Sequence, residues 1–398
     1  MTQSEQPTFA TRVVHAGERQ DFSRVHPVVG PIHPSVGYTF ADARELDAVL
    51  GGEQSGFVYS TRYANPTVAA LETAVAELEG GEAAHAFASG MAAIHMALLA
   101  AGVRAGASVV AAADIYGATY TLLQDLLATL GADIHFVDVT NLDAVSAAVT
   151  ATQPVVLFVE TMSNPLIKMA DLPRLADIAH QHDARLLVDN TFCTPYLCRP
   201  LTCGADVVIH SATKYLAGHG DVMAGVVVGT ADFKEKLLAL TKLVGSTLGP
   251  FEAWLLHRGL KTLALRMDKQ CASAQAIAER LQKDSRIGQV HYAGLRDHPQ
   301  RPLLQQLTGG RAGGVLSFVI KDAGRAEVFT FMDALQLIQP ATTLGDIYSL
   351  LLYPAISPHR TLTAVERQTL GISDGLVRLA VGIEDPEDIW ADLDRALG

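Results

Sequence analysis

The 398-residue chain has little charge, and the charge it has is of the wrong sign for several kinds of partner. Charged residues make up 18%, and 42 acids outnumber 30 bases to give a net charge of −12 with histidine neutral. Nucleic acid and anionic membrane surfaces recruit basic faces, so neither is expected as the main partner. No apolar run approaches the ~18 residues of a transmembrane helix. The polar start from Met1 to Pro7 has no apolar signal core, and a cytoplasmic protein is expected. Cysteine is scarce: Cys193, Cys198, Cys203 and Cys271. The fivefold spacing of the first three matches no common zinc pattern, so free thiols are expected and no metal. No Walker A pattern occurs. The glycine-rich piece Gly218-His219-Gly220-Asp221-Val222-Met223-Ala224-Gly225 precedes a strand, whereas a dinucleotide fingerprint follows a strand and opens a helix. Internal repeats and low-complexity tracts are also missing.

What the chain does have is apolar residues, 49% of the total, and enough length for two domains. Residues 1–60 are punctuated by proline and glycine and read as an arm poorly suited to fold alone. From 61 to 250, helices alternate with short apolar strands at Val109–Ala112, Asp133–Val137, Val155–Val159, Leu186–Asp189, Val207–Ile209 and Gly225–Val228. That alternation predicts a mostly parallel sheet between helix layers, with ligands at the carboxyl ends of the strands. Residues 251–398 open with amphipathic helix to about 280. They continue with strands at Gly314–Ile320 and Leu376–Val381 and end in a helix at Pro386–Leu397, a smaller α+β domain.

Three pieces carry chemistry. In Ala205-Asp206-Val207-Val208-Ile209-His210-Ser211-Ala212-Thr213-Lys214-Tyr215-Leu216 an apolar strand runs directly into Ser, Thr and Lys. A lysine in a tight turn at a strand end, partly desolvated, can lose its proton and attack a carbonyl. Ser211 and Thr213 beside it are suitable phosphate donors. Alone, this tetrapeptide reads equally well as an ordinary turn with a solvated lysine. A second strand, Leu186 to Asp189, places an acid 25 residues before Lys214, where a carboxylate could pair with a protonated ring nitrogen. In the third piece, Ser89-Gly90-Met91 opens an apolar helix, and free N–H groups at a helix start bind phosphate. Together they point to an aldehyde cofactor bearing a phosphate, pyridoxal 5'-phosphate (PLP).

The chain resembles the PLP-dependent Cys/Met metabolism (transsulfuration) family from about Thr11 to its C-terminus, and its γ-lyases in general appearance. The resemblance rests on Arg62-Tyr63-Ala64-Asn65-Pro66-Thr67, Leu78-Glu79-Gly80-Gly81, Ala88-Ser89-Gly90-Met91, Tyr116-Gly117, Val188-Asp189-Asn190-Thr191, His210-Ser211-Ala212-Thr213-Lys214-Tyr215, Gly218-His219-Gly220-Asp221, Arg258-Gly259-Leu260-Lys261-Thr262-Leu263 and Val377-Arg378-Leu379-Ala380-Val381-Gly382. It implies the α/β fold of type I PLP-dependent transferases (aspartate aminotransferase-like). It further implies a Schiff base at Lys214, ring-nitrogen pairing by Asp189, and ring stacking with proton transfer by Tyr116. Phosphate contacts fall to Ser89, Gly90, Met91, Ser211 and Thr213. Glu160 and Asn164 would line the cofactor. Arg378 would clamp the substrate carboxylate, assisted by the backbone of Thr343. Arg62 would reach the cofactor phosphate of a neighbouring subunit, making a dimer the active unit within a homotetramer.

The pattern departs from the family at Tyr59, which stands three residues before Arg62 where the family commonly has Tyr two before. Ala118 replaces the cysteine usual in methionine γ-lyases, Thr241 and Lys242 replace their Lys-Asp pair, and Tyr348 replaces a glutamate usual in cystathionine-handling members. The expected activity is γ-elimination from a methionine- or cystathionine-like amino acid, giving a 2-oxo acid, ammonia and a thiol. The alternative is γ-replacement, as in O-acylhomoserine sulfhydrylase or cystathionine γ-synthase.

Overall fold

The computed structural model describes residues 7–17, 28–60, 64–357, 367 and 371–398. Seven strands form the larger sheet: β1 (Ala83–Phe87), β2 (Ser108–Ala112), β3 (Asp133–Val137), β4 (Val156–Glu160), β5 (Arg185–Asp189), β6 (Val207–His210) and β7 (Gly225–Gly229). Their order is β1-β7-β6-β5-β4-β2-β3. β7 runs antiparallel to both of its neighbours, and the pairs from β6 to β3 are parallel. Helices cover both faces of such a sheet, so β4 and β7 are buried along their whole length and read as apolar runs, broken only by Glu160 at the end of β4. Sequence reading missed β1. Its Ala-Ala-His-Ala-Phe has weak strand propensity, and pairing with β7 and a bond from the Ala86 N–H to Glu72 Oε1 hold it in place.

A five-stranded sheet follows: β8 (Ile287–His291), β9 (Val315–Ile320), β10 (Gln339–Pro340), β11 (Leu350–Leu352) and β12 (Leu376–Ala380), in the order β10-β11-β12-β9-β8. The expected helix from 251 to 280 is two helices, Pro250–Leu260 and Leu263–Leu281, and one contiguous apolar core joins both sheets. The expected mostly parallel sheet with a smaller mixed region is thus borne out. Among the described residues, no helix is long and apolar enough to cross a membrane and no acidic, His or Cys cluster could hold a metal.

Local signals set the helices that frame the ligand end of the large sheet. Asn65 caps Pro66–Glu79 by accepting from the Thr67 and Val68 N–H groups, and Gly80 ends it in the left-handed conformation at φ 76°. Ser89 caps Gly90–Ala100 by accepting from the Ala92 N–H at 3.1 Å.

Candidate active site

The carboxyl ends of β4, β5 and β6 lie in register, with Glu160 opposite Asp189 and Asp189 opposite Ile209. Side chains alternate along a strand, so Glu160, Asp189 and Ser211 emerge on one side of this edge. The start of the Gly90–Ala100 helix meets them there. A Cβ on Gly90 would lie 2.7 Å from the Ser211 side chain, so only glycine lets helix start and strand end touch. The result is a cavity of about 220 Å³ lined by Ser89, Gly90, Met91, Tyr116, Glu160 and Asn164, and by Asp189, Ser211, Thr213, Lys214 and Arg378. Residues from nearly 300 positions of sequence therefore meet in one place.

Lys214 follows β6 in a tight turn, its N–H donating to the Ser211 carbonyl. Nζ donates to Thr343 Oγ1 at 2.7 Å. Burial, followed by the Arg378 guanidinium, holds its ammonium below the usual lysine range. Arg378, in the buried strand β12, donates through one terminal nitrogen to Asn164 Oδ1 at 2.9 Å and through the other to the Thr343 carbonyl at 3.0 Å. Its Nε is buried with no partner among the described residues, and burial brings the guanidinium down to about 10. A guanidinium so placed is ready for a carboxylate from outside the chain.

Asp189 Oδ1 accepts from the Thr191 N–H at 3.0 Å and the Thr191 hydroxyl at 2.5 Å. Burial pushes its carboxyl up against these bonds. Glu160 beside it stands well above the usual carboxylate range, through burial first and the Asp189 charge next. Glu160 Oε1 also takes the Tyr116 N–H at 2.7 Å, which fixes the start of the turn bearing that ring. Two adjacent buried carboxyls, a desolvated lysine and an open helix start make a donor set that fits PLP: an acid for the ring nitrogen, an amine for the aldehyde and N–H groups for the phosphate.

Some expected residues sit differently. Thr343 does not line the cavity itself; it acts through Lys214 and Arg378, while Thr342 and Leu344 form the wall. Thr213 lines the cavity, but its hydroxyl is tied to both the N–H and the carbonyl of Ala224. Tyr59 is 50% exposed and bridges to Gly37, away from the cavity lining. Arg62 lies outside the described residues. Thr241 is buried against His85 Nε2 at 3.1 Å, a core contact. All four cysteines are free, and none lines the cavity. Thr191 also lines the cavity, although neither the residues nor the resemblance assigns it a role. A threonine two residues after an aspartate is an Asx-type turn, and that is the signal for it.

Comparison with known proteins agrees with this geometry. Residues 10–398 match the family model described as Cys/Met metabolism PLP-dependent enzyme. The L-methionine gamma-lyase of Pseudomonas putida is 44% identical over 397 residues, covering 98% of this chain and 97% of that one. The O-succinylhomoserine sulfhydrylase of Pseudomonas aeruginosa is 41% identical, covering 99% and 96%. A crystal structure of cystathionine gamma-lyase from Lactobacillus plantarum complexed with L-serine superposes with a TM-score of 0.90 at 35% identity, covering 98% of each chain. A cavity furnished for PLP, inside a fold and sequence shared from end to end with these enzymes, makes the chain a member of the Cys/Met metabolism PLP-dependent enzyme family.

Proposed function

We propose that the protein catalyses PLP-dependent γ-elimination on a sulfur amino acid, with a methionine-like thioether as the preferred substrate. Methionine and water give 2-oxobutyrate, ammonia and methanethiol. The observation that carries this reading is the cavity lining. Its charged groups are Glu160, Asp189, Lys214 and Arg378, and each has a use close to the cofactor. The rest of the wall includes Met91, Ile94, Met162, Phe192, Met223 and Leu344, which suit a thioether and offer no second charged head a partner. Such a lining favours methionine over cystathionine.

Bound PLP supplies the electron sink that makes the amino acid's Cα–H, then a Cβ–H, acidic. The chain's own residues do the rest. Arg378 holds the substrate carboxylate with the donors that Asn164 and Thr343 leave open. Lys214, neutral more readily than an ordinary lysine, takes the Cα proton and moves it, with Thr343 fixing Nζ. Tyr116 delivers a proton to the departing sulfur. Ser89, Gly90, Met91 and Ser211 hold the phosphate, Thr213 joining them only if its hydroxyl gives up the Ala224 carbonyl, with Glu160 and Asn164 along the ring. Asp189 keeps the ring nitrogen protonated.

The active unit in this reading is a dimer within a homotetramer, with Arg62 and Tyr59 reaching a neighbour's cofactor and residues 1–60 as the wrapping arm. Exposed Leu243, Val244 and Phe251 and the unburied Ala43–Leu50 helix supply apolar surface for such contacts. Four free thiols suit a cytoplasmic location.

The test is a product assay with methionine, cystathionine, homocysteine or O-acetylhomoserine, each with and without sulfide. Prompt 2-oxobutyrate from methionine without an added thiol is expected. Homocysteine formed only from the acyl ester plus sulfide would replace this reading with γ-replacement, the activity named in the Pseudomonas aeruginosa relative.

A further inference from the structure

Behind the cavity lies a second polar tier. Because side chains alternate, the residues following Glu160, Asp189 and preceding Ser211 turn away from the cavity: Thr161, Asn190 and His210. All three are fully buried. They converge on Glu79, the last residue of the Pro66–Glu79 helix, also at 0% exposure. His210 Nε2 stands 2.6 Å from Glu79 Oε1, and the Asn190 side-chain amide donates to the same oxygen at 3.0 Å and to the Cys198 carbonyl at 2.9 Å. Thr161 Oγ1 donates to Asn190 Oδ1 at 2.8 Å. Asn190 is anchored to β6 by its N–H on the Ile209 carbonyl.

Glu79 Oε1 accepts from two donors, as an ionised carboxylate does, while its Oε2 and the His210 Nδ1 are buried with no hydrogen-bond partner among the described residues. A carboxylate removed from water keeps its charge only beside a cation. Among its described partners, His210 alone can be one. The other titratable groups facing Glu79 are the thiols of Cys193, Cys198 and Cys203. On its other side, His210 follows Ile209, the register partner of Asp189, and a charge there would add to the Thr191 bonds that oppose the effect of burial on Asp189, which also faces Glu160 from β4.

We propose that Glu79 and His210 form a buried ion pair that serves as a positioning pair for the cofactor, completing an alternating stack of charge: Glu79 negative, His210 positive, Asp189 negative, ring nitrogen positive. Neither touches the cofactor. Their effect runs through Asp189, whose ionised form burial opposes and an imidazolium supports. The inference rests on the assignment of Asp189 to the ring nitrogen.

The test compares holoenzymes of Glu79→Gln, the double variant Glu79→Gln/His210→Asn, and Asp189→Asn. Glu79→Gln keeps shape and bonding but removes the charge that stabilises imidazolium. The double variant removes both charges together and stands in if the single one does not fold. Two quantities are read: the pH titration of the bound cofactor's visible absorption, and the PLP dissociation constant. Both pair variants are expected to weaken PLP binding by about tenfold, equivalent to roughly one pKa unit at Asp189, and to displace the titration in the same direction as Asp189→Asn. A lower melting temperature with cofactor titration and affinity as in the unmodified enzyme would make the pair merely structural and overturn the proposal. If Asp189→Asn itself leaves the titration unmoved, the ring-nitrogen assignment fails instead, and the charge stack with it.

Discussion

Replacing Arg378 tests the geometry of the site most directly. Arg378→Met removes a buried cation and leaves Asn164 Oδ1 and the Thr343 carbonyl without their donors. Loss of one member of a buried charged pair costs about 3–5 kcal/mol. If the arginine clamps the substrate carboxylate, kcat/KM for methionine falls by roughly 150- to 5,000-fold. Arg378→Lys keeps the charge but not the planar fork, and forfeits one charge-assisted bond of about 1.5–3 kcal/mol, a loss of roughly 10- to 150-fold. Both are read from initial rates of 2-oxobutyrate release. A second readout uses the apoenzyme. The Arg378 cation helps depress Lys214, after burial. PLP capture needs the neutral amine, so the capture rate rises with pH through the Lys214 pKa, and Arg378→Met moves that rise to higher pH. A variant that keeps KM for methionine within about threefold, with the capture profile unmoved, would refute both the clamp and its coupling to Lys214.

Further outcomes follow from the same contacts. Lys214→Ala abolishes turnover while circular dichroism shows a folded protein; retained turnover would remove Lys214 from the chemistry. Because the Lys214 value is depressed in the folded state, the unfolded chain binds more protons below the ordinary lysine range. Its contribution to apoenzyme stability is therefore fully unfavourable below the depressed value and fades as pH rises towards the unfolded one. Urea titrations of wild-type and Lys214→Ala apoenzyme across that window should converge at its alkaline end. Thr191→Val removes a hydroxyl that donates to Asp189 and accepts the Ser211 N–H. A net cost of about 1–3 kcal/mol should appear as faster loss of PLP on dialysis, and unchanged retention would show that Thr191 does not hold Asp189. Cys203 is brought down to about 7 by its bond to Cys198, whereas burial pushes the Cys193 thiol far up and Cys271 up to about 12. Brief iodoacetamide treatment of the native enzyme near neutral pH should label Cys203 first by mass mapping; preferential labelling of Cys193 would contradict the burial described.

What could be read from the chain follows a physical rule. β4 to β7 announce themselves because strands buried on both faces must be apolar throughout, and Asp189 and Lys214 stand out as the polar residues that interrupt such runs at their ends. Arg378 is visible for the same reason, as a guanidinium inside an apolar strand that cannot be there unpaired. β1 is not visible, because alanines carry no strand preference and its partner β7 lies about 140 residues away. Thr343 is a threonine in a loop, and only the family resemblance singled it out; its bonds to Lys214 and Arg378 come from the folding of the smaller sheet against the larger. The tier behind the cavity is the least legible part. Glu79 reads as an ordinary helix-end acid and His210 as one letter in the lysine motif, and 131 positions separate them. Yet their side of the edge was implied once Asp189 and Ser211 were placed: in paired strands, whatever flanks a cavity-facing residue must face the core. A polar residue forced inward at that position needs a partner, and the chain supplies Glu79. The same alternation that turns Asp189 into the cavity turns Asn190 and His210 inward onto Glu79, which is why the two tiers are best tested together.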